Sequence, residues 1–333
     1  MAEAAMNSEV KPKKKFPFWV LILIGLIALN FYVAGLYKPL KPEIEVGAES
    51  ILFDVVDGEI VSRPWFTLPK LGPVYLTNSL LSHIVSYICL AILVIVVQKE
   101  TKEDTLLPHG VSGLIEMVME LLGGMAESSV KEEYRKTIFP AYYSIFLGVL
   151  ITNLSKLLPF FENIGIAALV NEGNIADRWG KLIAITGEAA PEGEMGWKLI
   201  GFFRCGPSDL NCTLGIACFA VLMIQILGLK IKGVGYLNRF INIRALIHNK
   251  QTGVVDFMVG ILELVAEFAK IASFGFRLFG NMFAGMVLLA FIGYIIPWGV
   301  GSVMMLYELF IGVLQAFLFG MLTAVFTGMA VNE

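Results

Sequence analysis

Long apolar runs alternate with short polar breaks along this chain, and the length of each run predicts its structure. After Lys11-Pro12-Lys13-Lys14-Lys15, an apolar run fills 16–36. A hydrocarbon layer ~30 Å thick is crossed by about 20 helical residues, so this run is long enough to span one. Two readings fit it: a retained signal-anchor helix with its lysines in the cytoplasm, or a signal peptide cleaved near Val33-Ala34-Gly35. The run is long for a signal peptide, which favours retention. Further runs at 76–97, 138–158 and 212–229 bring the expectation to about four transmembrane helices.

Between 109 and 129 the pattern changes. Val111, Leu114, Ile115, Val118, Leu121, Leu122 and Met125 recur at helical spacing, while Glu116, Glu120 and Glu127 take the other face. That is an amphipathic interfacial helix whose acidic side suits a partner protein better than anionic lipid. Segments 38–75 and 160–209 are mixed or polar and read as extramembrane, without an assigned fold. From 254 to 296 the chain is apolar and free of proline; as one helix it would extend ~65 Å, about twice the membrane core, so it lies strongly tilted or breaks near Gly275 or Gly280. Pro297-Trp298-Gly299 interrupts it, and a second overlong apolar helix follows to about residue 327. The pair predicts a strongly tilted helical hairpin. The expected class is therefore all-α and polytopic. Its parts are a cytoplasmic tail with an N-terminal helix (1–37), an extracytoplasmic segment (38–75) and a membrane domain (76–333).

Composition agrees with this picture. Hydrophobic residues make up 57% and charged ones 16%, against roughly 25% charged in globular domains. Mean hydropathy is +0.75. A net charge of −3 gives no support to nucleic-acid binding. Residues 230–250 hold Lys230, Lys232, Arg239, Arg244 and Lys250 and no acid, which marks the segment as cytoplasmic. Four crossings from a cytoplasmic N-terminus return the chain to that side, and the hairpin leaves the C-terminus there too. Four cysteines without a C-x-x-C pair and three scattered histidines give no metal pattern, and no cofactor is expected. Cys205 and Cys212, in an extracytoplasmic loop, form a candidate disulfide.

The chemistry concentrates in the hairpin. An arginine at mid-membrane costs ~2.5–3.5 kcal/mol even on the mildest scale, so it faces water or a partner. Arg277 stands in such a place, either satisfied within its own chain or turned to another protein. Glu263, Lys270 and Arg277 recur every seven residues and share one stripe with Ser273 and Asn281. Gly280 and Ala284 keep that stripe thin, which suits close packing against another protein's helices. On the second arm, Glu308 and Gln315 are also seven apart. A hairpin centred on Pro297 sets Gln315 level with Arg277 and Met286 opposite Glu308. Glu308 reads as a protonated core residue or a proton relay, and its polar setting favours the relay.

Phe276-Arg277-Leu278-Phe279-Gly280-Asn281-Met282-Phe283-Ala284-Gly285 resembles the signature helix of the a subunit of F-type ATP synthases. Leu314-Gln315-Ala316-Phe317 resembles that family's final helix, and 152–159, 209–213 and 230–233 also look familiar, so the resemblance covers roughly 75–333. It implies that Arg277 is the stator arginine facing the c-subunit ring, and that Glu263 serves the cytoplasmic half-channel. It sets Glu308 and Gln315 on the extracytoplasmic side. Asn281 and Ser273 join these as proton-translocation candidates, with Gly280, Ala284, Gly285 and Met286 packing the hairpin. The implied partners are the c-ring, b-type peripheral stalk subunits, the rest of the synthase and the lipid bilayer of a bacterial inner membrane; the chain itself would not be catalytic. Met286 stands where relatives often have a carboxylate or histidine, and Lys156 lies near a position acidic in some of them. A secondary transporter holding an anionic substrate at a buried arginine is the competing reading. Against it, the sequence shows no inverted repeat and no pair of broken helices. A passive membrane anchor would need no buried ions.

Overall fold

The computed structural model describes residues 47–332 except 71, 103–109, 159–163, 172, 180, 181, 192, 241–252 and 297–299, together with Gly25, Ala28 and Tyr32. The rest of the expected N-terminal helix, the turn at Pro297 and the basic segment beyond Phe240 lie outside the described residues.

Four short strands come first: β1 (Phe53–Val56), β2 (Glu59–Ser62), β3 (Phe66–Leu68) and β4 (Gly72–Val74). Helices α1 (Asn78–Lys102), α2 (Gly110–Ala126) and α3 (Glu132–Ser155) follow. Then come β5 (Gly165–Val170), β6 (Asn174–Trp179), β7 (Leu182–Ala189) and β8 (Gly196–Gly201), and finally α4 (Leu210–Lys232), α5 (Gly253–Ile295) and α6 (Val300–Asn332).

Among the described residues, five helices are long and apolar enough to cross a membrane: α1, α3, α4, α5 and α6. The molecule is an integral, multi-pass membrane protein with an all-α body. At 43 residues, α5 is ~65 Å long, and with α6 it makes the overlong hairpin expected from the sequence. The shorter α2 exposes Val111, Leu114, Leu121 and Met125, an apolar face open to its surroundings. Asp209 caps α4 by accepting a hydrogen bond from the Asn211 backbone N–H at 3.0 Å, and Lys230 and Lys232 close its last turn.

Lipid tails are as apolar as leucine, so the helices hold together by dense packing rather than by escape from water. Ala217, Ala220, Ala316 and Ala324 are fully buried and let the backbones approach. Around them Tyr142, Phe274, Leu278, Met282 and Phe319 form the centre of the bundle. The Phe274 ring lies 4.9 Å from Phe319 and 5.8 Å from Phe326, fastening α5 to α6.

The extramembrane segments are not featureless. Strands β1 and β2 form a hairpin whose turn, Asp57-Gly58, has φ of 52° and 77°. Two positive φ values give the turn that matches the twist of paired strands. Strands β3 and β4 make a second hairpin, and β5-β8-β6-β7 a four-stranded antiparallel sheet. Phe53 and Ile60 of the first hairpin pack on Ala168, Val170 and Ile200 of that sheet. Asn171 Nδ2 donates to Asp57 O at 2.8 Å and Arg204 Nη1 to Gly47 O at 2.5 Å, linking the two segments on the side where α1 and α4 begin. The all-α expectation thus holds for the membrane body and gains a β cap outside it.

Candidate functional site

Along α5, Phe274, Leu278 and Met282 recur every four residues and are buried, which sets the helix's rotation. Arg277 stands beside that line, half-buried. Among the described residues it has no hydrogen-bond or ion-pair partner. Ser273, Phe276, Gly280 and Ala284 are exposed next to it, so the surface around the guanidinium is open and mostly small.

The sequence set Gln315 level with Arg277; in the structure Gln315 meets Asn281, one helical turn further along α5. Asn281 Nδ2 donates to Gln315 Oε1 at 2.8 Å, and Gly312 lies against Met282. Gln315 is fully buried, and its Nε2 has no partner among the described residues. Gly285, next to Met286, lies against Glu308: a Cβ at Gly285 would come within 2.8 Å of Glu308 Oε1 and 3.6 Å of Lys156 Nζ. The missing side chain makes room for an ion pair. Lys156 Nζ stands 3.1 Å from Glu308 Oε2, with both side chains more than nine-tenths buried. Glu308 Oε1 has no partner among the described residues. One turn earlier, Asn153 Nδ2 donates to Gly312 O at 3.0 Å, so the end of α3 is pinned to α6 beside the pair.

On the other side of Arg277, toward the start of α5, the seven-residue stripe divides into separate pairs. Glu263 accepts from Arg239 Nη2. Lys270 Nζ donates to Glu267 Oε1 at 2.7 Å and lies 4.7 Å from the Phe326 ring centroid. Glu267 is buried, and its Oε2 has no partner among the described residues. Tyr236 Oη donates to Gln225 Oε1 at 2.8 Å nearby. Of the sequence candidates, Asn281 and Gln315 are in contact; Arg277, Glu263 and Glu308 are spread along the hairpin; Ser273 lies on the open face.

No disulfide joins Cys205 and Cys212. Cys212 belongs to the first turn of α4, where its thiol donates to Asp209 Oδ2 at 3.6 Å and lies 3.8 Å from Ser79 Oγ. It is turned to α1, while Cys205 is buried before the single turn Gly206–Ser208.

Sequence reasoning missed the Lys156–Glu308 contact, the burial of Glu267 and a polar junction between α1 and α4. At that junction Ser79 Oγ donates to Asp209 Oδ2 at 2.8 Å, and His83 Nδ1 lies 3.0 Å from Ser79 O. A signal for it existed: Ser79, Ser82, His83 and Ser86 repeat at helical spacing within an apolar span, and all four are buried. The family model described as ATP synthase A chain matches residues 79–328, from the first turn of α1 to the last turns of α6.

Proposed function

The chain belongs to the ATP synthase A chain family, the membrane-embedded a subunit of F-type ATP synthase, and from that premise we propose that it carries protons through two half-channels parted by Arg277. Arg277 supports this reading best: a half-buried guanidinium on a membrane helix, without a partner among the described residues, on a face kept thin by Gly280 and Ala284. Such a charge is stable only if something outside the chain answers it.

A ring of c subunits, each with a mid-membrane carboxyl, supplies that answer. Facing lipid, the carboxyl stays protonated because desolvation disfavours its charge. Beside Arg277 the anion is favoured by ~4 kcal/mol, for charges 4 Å apart at an effective dielectric near 20. The proton leaves into one half-channel, and the next site to pass Arg277 is reloaded from the other. The fixed charge also bars protons from crossing directly between the two. Glu308 with Lys156, Gln315 and Asn281 lines the extracytoplasmic half-channel; Glu263 and Glu267 stand at the cytoplasmic one. The open apolar face of α2 suits a b-type stalk subunit. Both termini lie in the cytoplasm of a bacterial cell, with the bundle in its inner membrane. ATP itself is made elsewhere in the complex.

The test is Arg277→Ala in the assembled synthase. ATP-driven acidification of inverted vesicles is expected to vanish while the c-ring still co-purifies. Lysine is expected to rescue poorly, because it lacks the planar, permanently charged fork. Normal pumping by the alanine variant refutes the reading.

A further inference from the structure

Two carboxylates in the bundle share one arrangement. Glu308 is buried, tethered through Oε2 to Lys156, and keeps Oε1 without a partner among the described residues. Glu267 is buried, tethered through Oε1 to Lys270, and keeps Oε2 in the same state. They flank Arg277 on opposite sides along the hairpin. A buried carboxylate oxygen left without a donor is costly, and it is relieved by a proton, a water or a passing group. We propose that Glu267, held by Lys270, is the proton-carrying carboxylate of the cytoplasmic half-channel. This inference rests on the two-half-channel reading above and assigns one residue within it.

Glu263 is placed differently. Its carboxylate accepts from Arg239, a guanidinium that does not give up protons, and the pair is partly open to the surroundings. Glu263 is also farther from the arginine. Fourteen residues separate it from Arg277, about 21 Å of helix, whereas Glu267 is ten residues and about 15 Å away. A proton released on the cytoplasmic side therefore reaches Glu267 one turn sooner. The step is simple to balance. Oε2 of the Glu267 carboxylate gains the proton and forms an O–H bond. Lys270 keeps its own protons and its hydrogen bond to Oε1. The carboxyl then yields the same proton to water at the cytoplasmic end and returns to the anion.

The measurement is passive proton flux through membrane vesicles stripped of the catalytic head, with co-purification of the c-ring as the control for assembly. Glu267→Gln keeps an oxygen for Lys270 to donate to, so the helix contact survives while the proton site is lost. Flux is expected to fall by about tenfold or more, the scale of losing one proton-transfer group. Glu267→Asp, which keeps the acid, is expected to retain a measurable part of it. Glu263→Gln is expected to lose clearly less than Glu267→Gln. Wild-type flux in Glu267→Gln overturns the proposal, as does a loss in Glu263→Gln equal to or above it. ATP-driven pumping by Arg277→Ala separates the two levels: if the intact synthase still pumps, the half-channel reading fails; if it does not pump while Glu267→Gln conducts fully in stripped vesicles, only this assignment fails.

Discussion

Lys156, just past the end of α3, and Glu308, in the first third of α6, form a buried ion pair with Nζ and Oε2 3.1 Å apart. Removing one partner of such a pair costs ~3–5 kcal/mol, because the other charge is left buried and unanswered. Removing both is far milder. Lys156→Met is therefore expected to lower the thermal stability of the detergent-solubilised complex, and the double variant Lys156→Met/Glu308→Gln to regain most of it. Proton flux is expected to stay low in both, since the carboxylate is stranded in one and absent in the other. Equal melting temperatures for the single and double variants would show that the pair contributes nothing.

The exposed small residues beside Arg277 give a second test. A Cβ added at Gly280 meets no atom within 4 Å, so the chain's own fold has room for a side chain there. Leucine in place of glycine also favours the helix by up to ~1 kcal/mol. Gly280→Leu and Ala284→Leu are expected to leave the subunit inserted and folded, yet to cut ATP-driven pumping by about tenfold, because close helix approach depends on small residues. Full pumping by both variants would mean that the rotor does not pass over this face.

The cysteines offer a test of the corner where α1 and α4 begin. Cys212 is turned to Asp209 and Ser79, away from a bridge to Cys205. Alkylation of the denatured, unreduced protein is expected to label both residues, each seen as the corresponding mass increase in its own peptide. A peptide pair that separates only after reduction would refute the packing at the start of α4.

The hairpin was legible because its signals are local. Two overlong apolar runs, a proline between them and polar residues at seven-residue spacing predict a register that the Asn281–Gln315 bond meets to within one helical turn. The face of α2 was legible for the same reason. The ion pairs were not. Nothing near Lys156 in sequence says that Glu308 is its neighbour, and the even spacing of Glu263, Lys270 and Arg277 hid their division among Arg239, Glu267 and open surface. The β cap lies between these cases. Asp57-Gly58, flanked by Phe53-Asp54-Val55-Val56 and Glu59-Ile60-Val61-Ser62, is a strong two-residue hairpin signal, overshadowed by the prolines around it. The second sheet is glycine-rich where Gly173 and Gly196 bring two backbones together, so its composition mimics a loop.

That cap also orders events during synthesis. Asp57 and its partner Asn171 are 114 residues apart, and α1, α2 and α3 lie between them. At ~5–20 residues per second, the first hairpin waits on the order of ten seconds before the strand that covers it has been made. A two-stranded hairpin is marginally stable alone in water. The ribosome must therefore finish three helices, and the insertion machinery must seat two crossings, before residues 53–62 acquire a lasting shape; until then Phe53 and Ile60 lie within reach of chaperones and proteases.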